Sequence, residues 1–149
     1  MRTTAAWTEA EILALTTAFL DRTLEKPRWR HNAHCLVTAC LLLTRPGMDL
    51  ERDLPDLIRR YNTATGVENT ETAGYHHTIT IFYIRTIRAF LATLPPSTGL
   101  EDACNAMLNS PIGDKTYVEN HYQSDVLWSK KARQTWITPP GWEREPTGH

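Results

Sequence analysis

The sequence predicts an all-α fold, a bundle of five or six helices around a buried central helix. Three observations indicate this. Apolar residues recur three and four apart near the N-terminus, a second segment is apolar nearly all round, and a third runs for about twenty residues between a polar loop and two prolines. The chain has 149 residues, a common size for one domain. We therefore expect a single helical domain over 1–149, with a loosely ordered tail from about 140.

The first helix has a recognisable start. Thr8 and Glu11 have the spacing of a capping box, in which each side chain bonds to the backbone of the other residue. Apolar residues from Ile12 to Phe19 then follow at helical spacing. This pattern predicts a helix over about 8 to 24 with one buried face.

The second helix is the predicted centre of the bundle. The segment 29–44 reads WRHNAHCLVTACLLLT, and its second half is apolar nearly all round, as expected of a helix packed on every side. Residues 45–47 end it. Asp49 or Asp53 then caps a third helix, which Gly66 ends in a left-handed conformation.

The fourth helix is predicted over most of 74–94, although its β-branched centre is also compatible with a strand. Its length and the prolines at 95–96 favour a helix. Thr98 can cap a fifth helix that ends before Pro111, and Ser129 can cap a short sixth.

Composition excludes several classes of partner. Sixteen basic and seventeen acidic residues nearly balance, and no basic run suits a phosphate backbone, so we expect no nucleic acid partner. The N-terminus does not match a signal peptide, and the apolar runs are too short to span a bilayer. Three cysteines without a CxxC motif indicate a reducing compartment. We expect a cytoplasmic protein with no membrane partner.

Histidines are the main candidates for a functional site. His31 and His34 are three apart, a spacing at which two helical rings can reach one ion. On a helical wheel His76 points along the apolar stripe of the fourth helix, whereas His77 lies to one side. Neutral imidazole binds metal ions and accepts protons near neutral pH. We expect the second and fourth helices to be adjacent, with their N-terminal ends near one another. That arrangement predicts a divalent metal ion, zinc or iron, held by His31, His34 and His76.

Three further residues are candidates for catalysis beside those histidines. Tyr75 or His77 can assist proton transfer, and Asn62 lies at the end of the third helix. Three arginines can hold a carboxylate, although surface ion pairing is their more ordinary role: Arg85, Arg88 and Arg133. The predicted catalytic residues are therefore Tyr75, His77 and Asn62.

A structural role for the histidines stays open at this point. Their ring nitrogens can instead be bonded to backbone carbonyls, as in capping or core histidines, because HxxH alone is a weak motif. The chain has no HExxH, no glycine-rich phosphate loop and no ExxH pair. These absences argue against a zincin, a nucleotide enzyme and a ferritin-like oxidase.

Four motifs carry a family resemblance. They are W-x-H-x-x-H at 29–34, Y-N at 61–62, N-T-x-x-x-G-Y-H-x-T-I-T at 69–80 and S-x-x-A-R-x-x-W at 129–136. In this combination the chain resembles an uncharacterised family of small bacterial helical proteins. The resemblance implies a common fold and pocket rather than a reaction, and it carries over the three predicted ligands. The usual family pattern has glutamate where this chain has His77.

Together these features predict a small-molecule enzyme with a histidine-lined, metal-assisted site. A lyase, cyclase, isomerase or hydrolase would each fit. The alternatives are a non-catalytic small-molecule-binding protein and a structural or partner-binding bundle. The oligomeric state is left open, with a homodimer among the options.

Overall fold

The computed structural model describes residues 6–142, and within that range the chain is helical with no strands. The all-α prediction is therefore confirmed. The alternative of a strand at the β-branched segment 79–84 is wrong, because these residues belong to a helix. No helix in this range combines the length and apolar character needed to cross a membrane. The α-helices are Glu9–Leu20 (α1), His31–Thr44 (α2), Leu50–Ala64 (α3), His77–Ala92 (α4), Leu100–Asn109 (α5), Ser124–Leu127 (α6) and Lys130–Gln134 (α7).

The described residues form seven α-helices rather than five or six, because α6 and α7 are single turns of four and five residues. One short 3₁₀ turn lies between α1 and α2, and two lie between α5 and α6. They are Lys26–Arg28, Pro111–Gly113 and Tyr117–Asn120.

Side-chain caps fix where several helices begin. The capping box is present, since the Thr8 hydroxyl accepts from the Glu11 N–H at 3.1 Å and the Glu11 carboxylate accepts from the Thr8 N–H at 2.9 Å. Asp49 caps α3, and Ser129 caps α7. Thr98 does not cap α5, whose N-cap residue is Gly99. Most caps in which a side-chain oxygen accepts from a backbone N–H three residues later can thus be predicted from the sequence.

The interior is shared by two helices. Every residue of α2 from Cys35 to Leu41 is buried, but Leu43 is exposed, and α4 contacts α2, α3, α5 and α7. A single central helix is therefore not confirmed.

The predicted contact between α2 and α4 is present, but their N-terminal ends do not lie side by side. His31 at the start of α2 packs on Tyr83, with ring centroids 5.2 Å apart. Tyr83 is two turns into α4, so the two N-terminal ends are offset by about 10 Å.

The C-terminal part of the described chain packs on α4. The Trp142 ring is stacked on Phe82, with centroids 5.2 Å apart and an interplanar angle of 13°. The rest of the predicted loose tail, residues 143–149, lies outside the described residues.

We predict that Tyr61→Phe destabilises the fold through one buried hydrogen bond. The Tyr61 hydroxyl donates to the Leu24 carbonyl oxygen at 2.8 Å, and the tyrosine is completely buried. Its removal leaves that carbonyl without its partner, so the free energy of unfolding should fall by about 1 to 2 kcal/mol. Urea unfolding measures the change. Tyr117→Phe is the control, and an equal loss there would contradict the assignment.

Candidate functional site

The loop between α3 and α4 carries Tyr75 and lies between the other two predicted catalytic residues, Asn62 and His77, and its shape depends on Gly74. Gly74 has φ +81°, in the left-handed region. A Cβ there would collide with the Glu68 carbonyl oxygen and with Asn69. Glycine is therefore required at this position, both for its backbone conformation and because the two sides of the loop approach each other closely here.

Asn69 holds this loop to α3. Its Oδ1 accepts from the Asn62 side-chain amide and from the Tyr75 N–H, both at 3.0 Å, while its Nδ2 donates to the Arg59 carbonyl at 3.2 Å. The predicted catalytic residue Asn62 therefore acts on the loop through Asn69. Its place in the structure is that of a positioning residue.

His76 is not part of α4 but the residue that caps it. Its backbone is extended, with φ −126° and ψ 110°, and its Nδ1 accepts from the Ile79 N–H at 3.2 Å. The Nε2–H donates to the Leu127 carbonyl at 2.7 Å. Both ring nitrogens are thus bonded to backbone groups. The helical-wheel placement of His76 was wrong, because a helical wheel assumes helical backbone angles that this residue does not have.

His31 is also bonded to the backbone. Its Nε2–H donates to the Ile112 carbonyl at 2.8 Å, and the Cys35 sulfur lies 3.5 Å from the same nitrogen. Burial raises the pKa of the Cys35 thiol to about 12, so this sulfur stays protonated near neutral pH. It is therefore unsuited to act as a nucleophile or as a thiolate ligand.

The three predicted metal ligands do not form one centre. His31 and His34 lie together beside Tyr83, whereas His76 bonds to the segment that contains Leu127. Across residues 6–142, no group of three or more His, Cys, Asp or Glu side chains is arranged to hold an ion. The His76 nitrogen lone pair is already used by the helix cap. This set of residues does not fit the predicted metal.

Tyr75 and His77 form a hydrogen-bonded pair. The Tyr75 hydroxyl lies 2.8 Å from Nδ1 of His77. Burial raises the pKa of Tyr75 to about 12, so the hydroxyl keeps its proton and donates it in this bond. Burial and the nearby charge of Arg59 lower the pKa of His77, which keeps its Nδ1 free to accept. Two predicted catalytic residues are therefore in direct contact.

A pocket of about 360 Å³ lies beside this pair, with Tyr75 in its wall. Two cationic side chains, Arg59 and Arg133, line it together with Asn69, Thr70, Glu71 and Gln134. The Arg59 guanidinium lies over the Tyr75 ring, 4.3 Å from its centroid. Its ion pair with Asp56 is long, at 3.4 Å, and exposed, so it neutralises little of the charge.

Arg133 links the pocket to α7 and the loop. Its guanidinium donates to the carbonyl oxygens of Gly74 and Tyr75, at 3.0 and 3.4 Å. The other two arginines predicted to hold a carboxylate, Arg85 and Arg88, both bond to Glu51 on α3. Arg133 is thus the one that the structure places at the pocket.

Sequence reasoning missed Arg59. It is three residues before Asn62 on α3, and residues three apart share a helix face. That spacing is the signal in the sequence that links Arg59 to the site, but pairs of residues three apart occur along every helix.

Comparison of the chain with protein-family models, with curated proteins and with solved structures gives no match. The resemblance carried by the four motifs stays a prediction.

We predict that two substitutions of His76 distinguish the contributions of its two hydrogen bonds to stability. Asparagine is a good N-cap residue but is too short to reach Leu127, so His76→Asn should lower the free energy of unfolding by about 1 kcal/mol. His76→Ala removes both bonds and should cost about 2 kcal/mol. Urea unfolding measures both values. Equal losses for the two variants would contradict a capping role.

We predict that His34 makes the fold sensitive to acid. Burial, with a smaller contribution from His31, lowers the pKa of His34 from 6.5 to about 4. The unfolded chain therefore binds the proton more tightly, and stability that is present above pH 6.5 is lost as the pH falls toward about 4. The loss should reach roughly 3 kcal/mol.

Urea unfolding at neutral pH and near pH 4 measures this loss, with His34→Gln as the comparison. The variant should lose most of the difference in stability between the two conditions, and what remains should come from His76 and His77, whose pKa values are also lowered. An unchanged acid loss in His34→Gln would assign it to other groups.

Proposed function

We propose that this protein is a small-molecule enzyme that acts on an anionic substrate by acid–base catalysis. The observation that carries the proposal is the 2.8 Å bond between the Tyr75 hydroxyl and His77, with Tyr75 in the wall of a pocket that also contains Arg59 and Arg133. Paired proton-transfer groups beside cationic side chains are a common arrangement in active sites.

The charges of the pocket indicate the substrate class. Arg59 and Arg133 outnumber the one acidic side chain of the lining, Glu71, and Glu71 is within 3.6 Å of the Lys130 ammonium. Guanidinium groups bind carboxylate and phosphate oxygens through paired hydrogen bonds. The substrate is therefore a small molecule with a carboxylate or phosphate group.

The Tyr75–His77 pair supplies a base. In the first step the Tyr75 oxygen takes a proton from the substrate while its own proton passes to Nδ1 of His77. Tyr75 is neutral before and after this step, His77 becomes an imidazolium, and the substrate gains one negative charge. Arg59 and Arg133 stabilise that charge, and the reverse transfer returns the proton to the product. An isomerase, lyase or cyclase reaction of a carboxylate needs such a step.

The alternative is a protein that binds the same anion without reaction. It draws support from the roles of His31 and His76, which both bond to backbone carbonyls and hold the fold together. Both alternatives need the arginine pocket. Only the enzyme needs the proton-transfer pair.

We predict that anions bind at the arginine pocket. Inorganic phosphate and succinate serve as probes, and calorimetry measures their affinity. Arg59→Gln and Arg133→Gln should each weaken binding about tenfold, because a charge-assisted contact contributes about 1.5 kcal/mol or more. Arg60→Gln, next along α3 but outside this pocket, is the matched control. Equal effects of Arg60→Gln and Arg59→Gln, or no binding by either probe, would contradict the site.

We predict that the base removes a proton from a carbon acid held in the pocket. Pyruvate in deuterated water is the probe, and proton NMR follows the exchange of its methyl protons. His77→Gln should abolish the protein-dependent exchange and leave phosphate affinity unchanged, since His77 is not in the pocket lining. Exchange that persists in His77→Gln would contradict the mechanism. Binding without exchange would favour the non-catalytic alternative.

A further inference from the structure

A second pocket lies at the other end of α4, outside the site of the proposed function. Its volume is about 390 Å³, within the range of small-molecule sites. One wall is a single face of α4 and its C-cap residue, where Thr86, Phe90 and Thr93 follow at helical spacing. Thr86 is nine residues beyond His77, about 14 Å along the helix. The two pockets are therefore separate sites.

The lining of this second pocket is aromatic and uncharged. Phe90, Tyr117 and Trp142 contribute rings, and none of the described residues that line the pocket is Lys, Arg, Asp or Glu. Trp142 is held in place by its stacking on Phe82. A charged ligand would lose its hydration here without a partner, so the lining selects a neutral aromatic molecule.

Thr86 has a buried hydroxyl that makes no hydrogen bond within the described chain. Other helical threonines behave differently, since Thr16, Thr38 and Thr80 each donate to the carbonyl four residues earlier, at 2.8 to 3.0 Å. A buried hydroxyl without a partner is destabilising. A ligand group that bonds to Thr86 would remove this cost.

His121 supplies a second polar atom to the pocket. Its Nδ1–H donates to the Tyr117 carbonyl at 3.0 Å. The neutral ring therefore has its lone pair on Nε2, and that nitrogen makes no hydrogen bond to the described residues. His121 can accept a hydrogen bond from a ligand, and the Thr86 hydroxyl can donate one once rotation about the Cα–Cβ bond brings its buried oxygen to the pocket.

We propose that this second pocket binds a neutral aromatic molecule that carries one hydroxyl group, of the phenol class. The ring packs among Phe90, Tyr117 and Trp142. The ligand hydroxyl has a proton for Nε2 of His121 and a lone pair for the Thr86 hydroxyl. This binding site does not depend on the anion pocket or on the reaction proposed for it.

Phenol itself is the probe for this site, with benzene as the comparison without a hydroxyl group. Two-dimensional amide NMR at millimolar ligand should show saturable phenol binding, with shifts at Thr86, His121 and the Trp142 indole. Thr86→Val and His121→Phe should each weaken phenol binding about fivefold and leave benzene affinity nearly unchanged. Thr93→Val is the matched control, because the Thr93 hydroxyl already donates to the Phe90 carbonyl at 2.7 Å.

Thr86→Val also tests the unpartnered hydroxyl without a ligand. Valine has the same shape as threonine but no polar group to satisfy, so the melting temperature of the free variant should rise. Weaker phenol binding in a more stable protein cannot be attributed to unfolding. Absence of phenol shifts at this pocket, equal affinity for benzene and phenol, or unchanged phenol affinity in both Thr86→Val and His121→Phe would each overturn the proposal.

Discussion

The two hydrogen bonds of the His76 ring are the interaction on which the candidate site depends. One nitrogen caps the first turn of α4, and the other holds that turn to the Leu127 carbonyl at the end of α6. The cap fixes where the helix begins, and the bond to Leu127 brings the C-terminal segment, with Arg133, against the loop. The flanking residues Tyr75 and His77 are positioned by the same bonds. A residue predicted to bind metal thus organises the site as a structural element.

The fold was predictable where local chemistry decides it. The caps at Thr8, Asp49 and Ser129 each depend on an oxygen within three residues of its partner, so their spacing is visible in the sequence. The start of α4 was less accessible, because an imidazole cap is uncommon and its second bond reaches a carbonyl that is 51 residues away. Long-range bonds of this kind leave no periodic pattern.

The site was predictable only in part, for a related reason. Tyr75 and His77 are two residues apart, on either side of the helix start, and the structure brings their side chains into contact. Their arginine partners come from α3 and α7, and nothing in the sequence marks Arg59 as the residue that stacks on Tyr75. The expected grouping of His31, His34 and His76 failed because the starts of α2 and α4 are offset along their helices.

Arg59 couples substrate binding to the strength of the base in the proposed reaction. Its positive charge contributes to the lowered pKa of His77, because imidazolium beside a guanidinium is unfavourable. An anion bound to Arg59 would neutralise that charge and allow the pKa of His77 to rise. The base would then accept a proton more readily in the complex than in the free protein. An arginine whose charge opposes protonation of His77 in the free protein would in this way make proton transfer depend on the bound substrate.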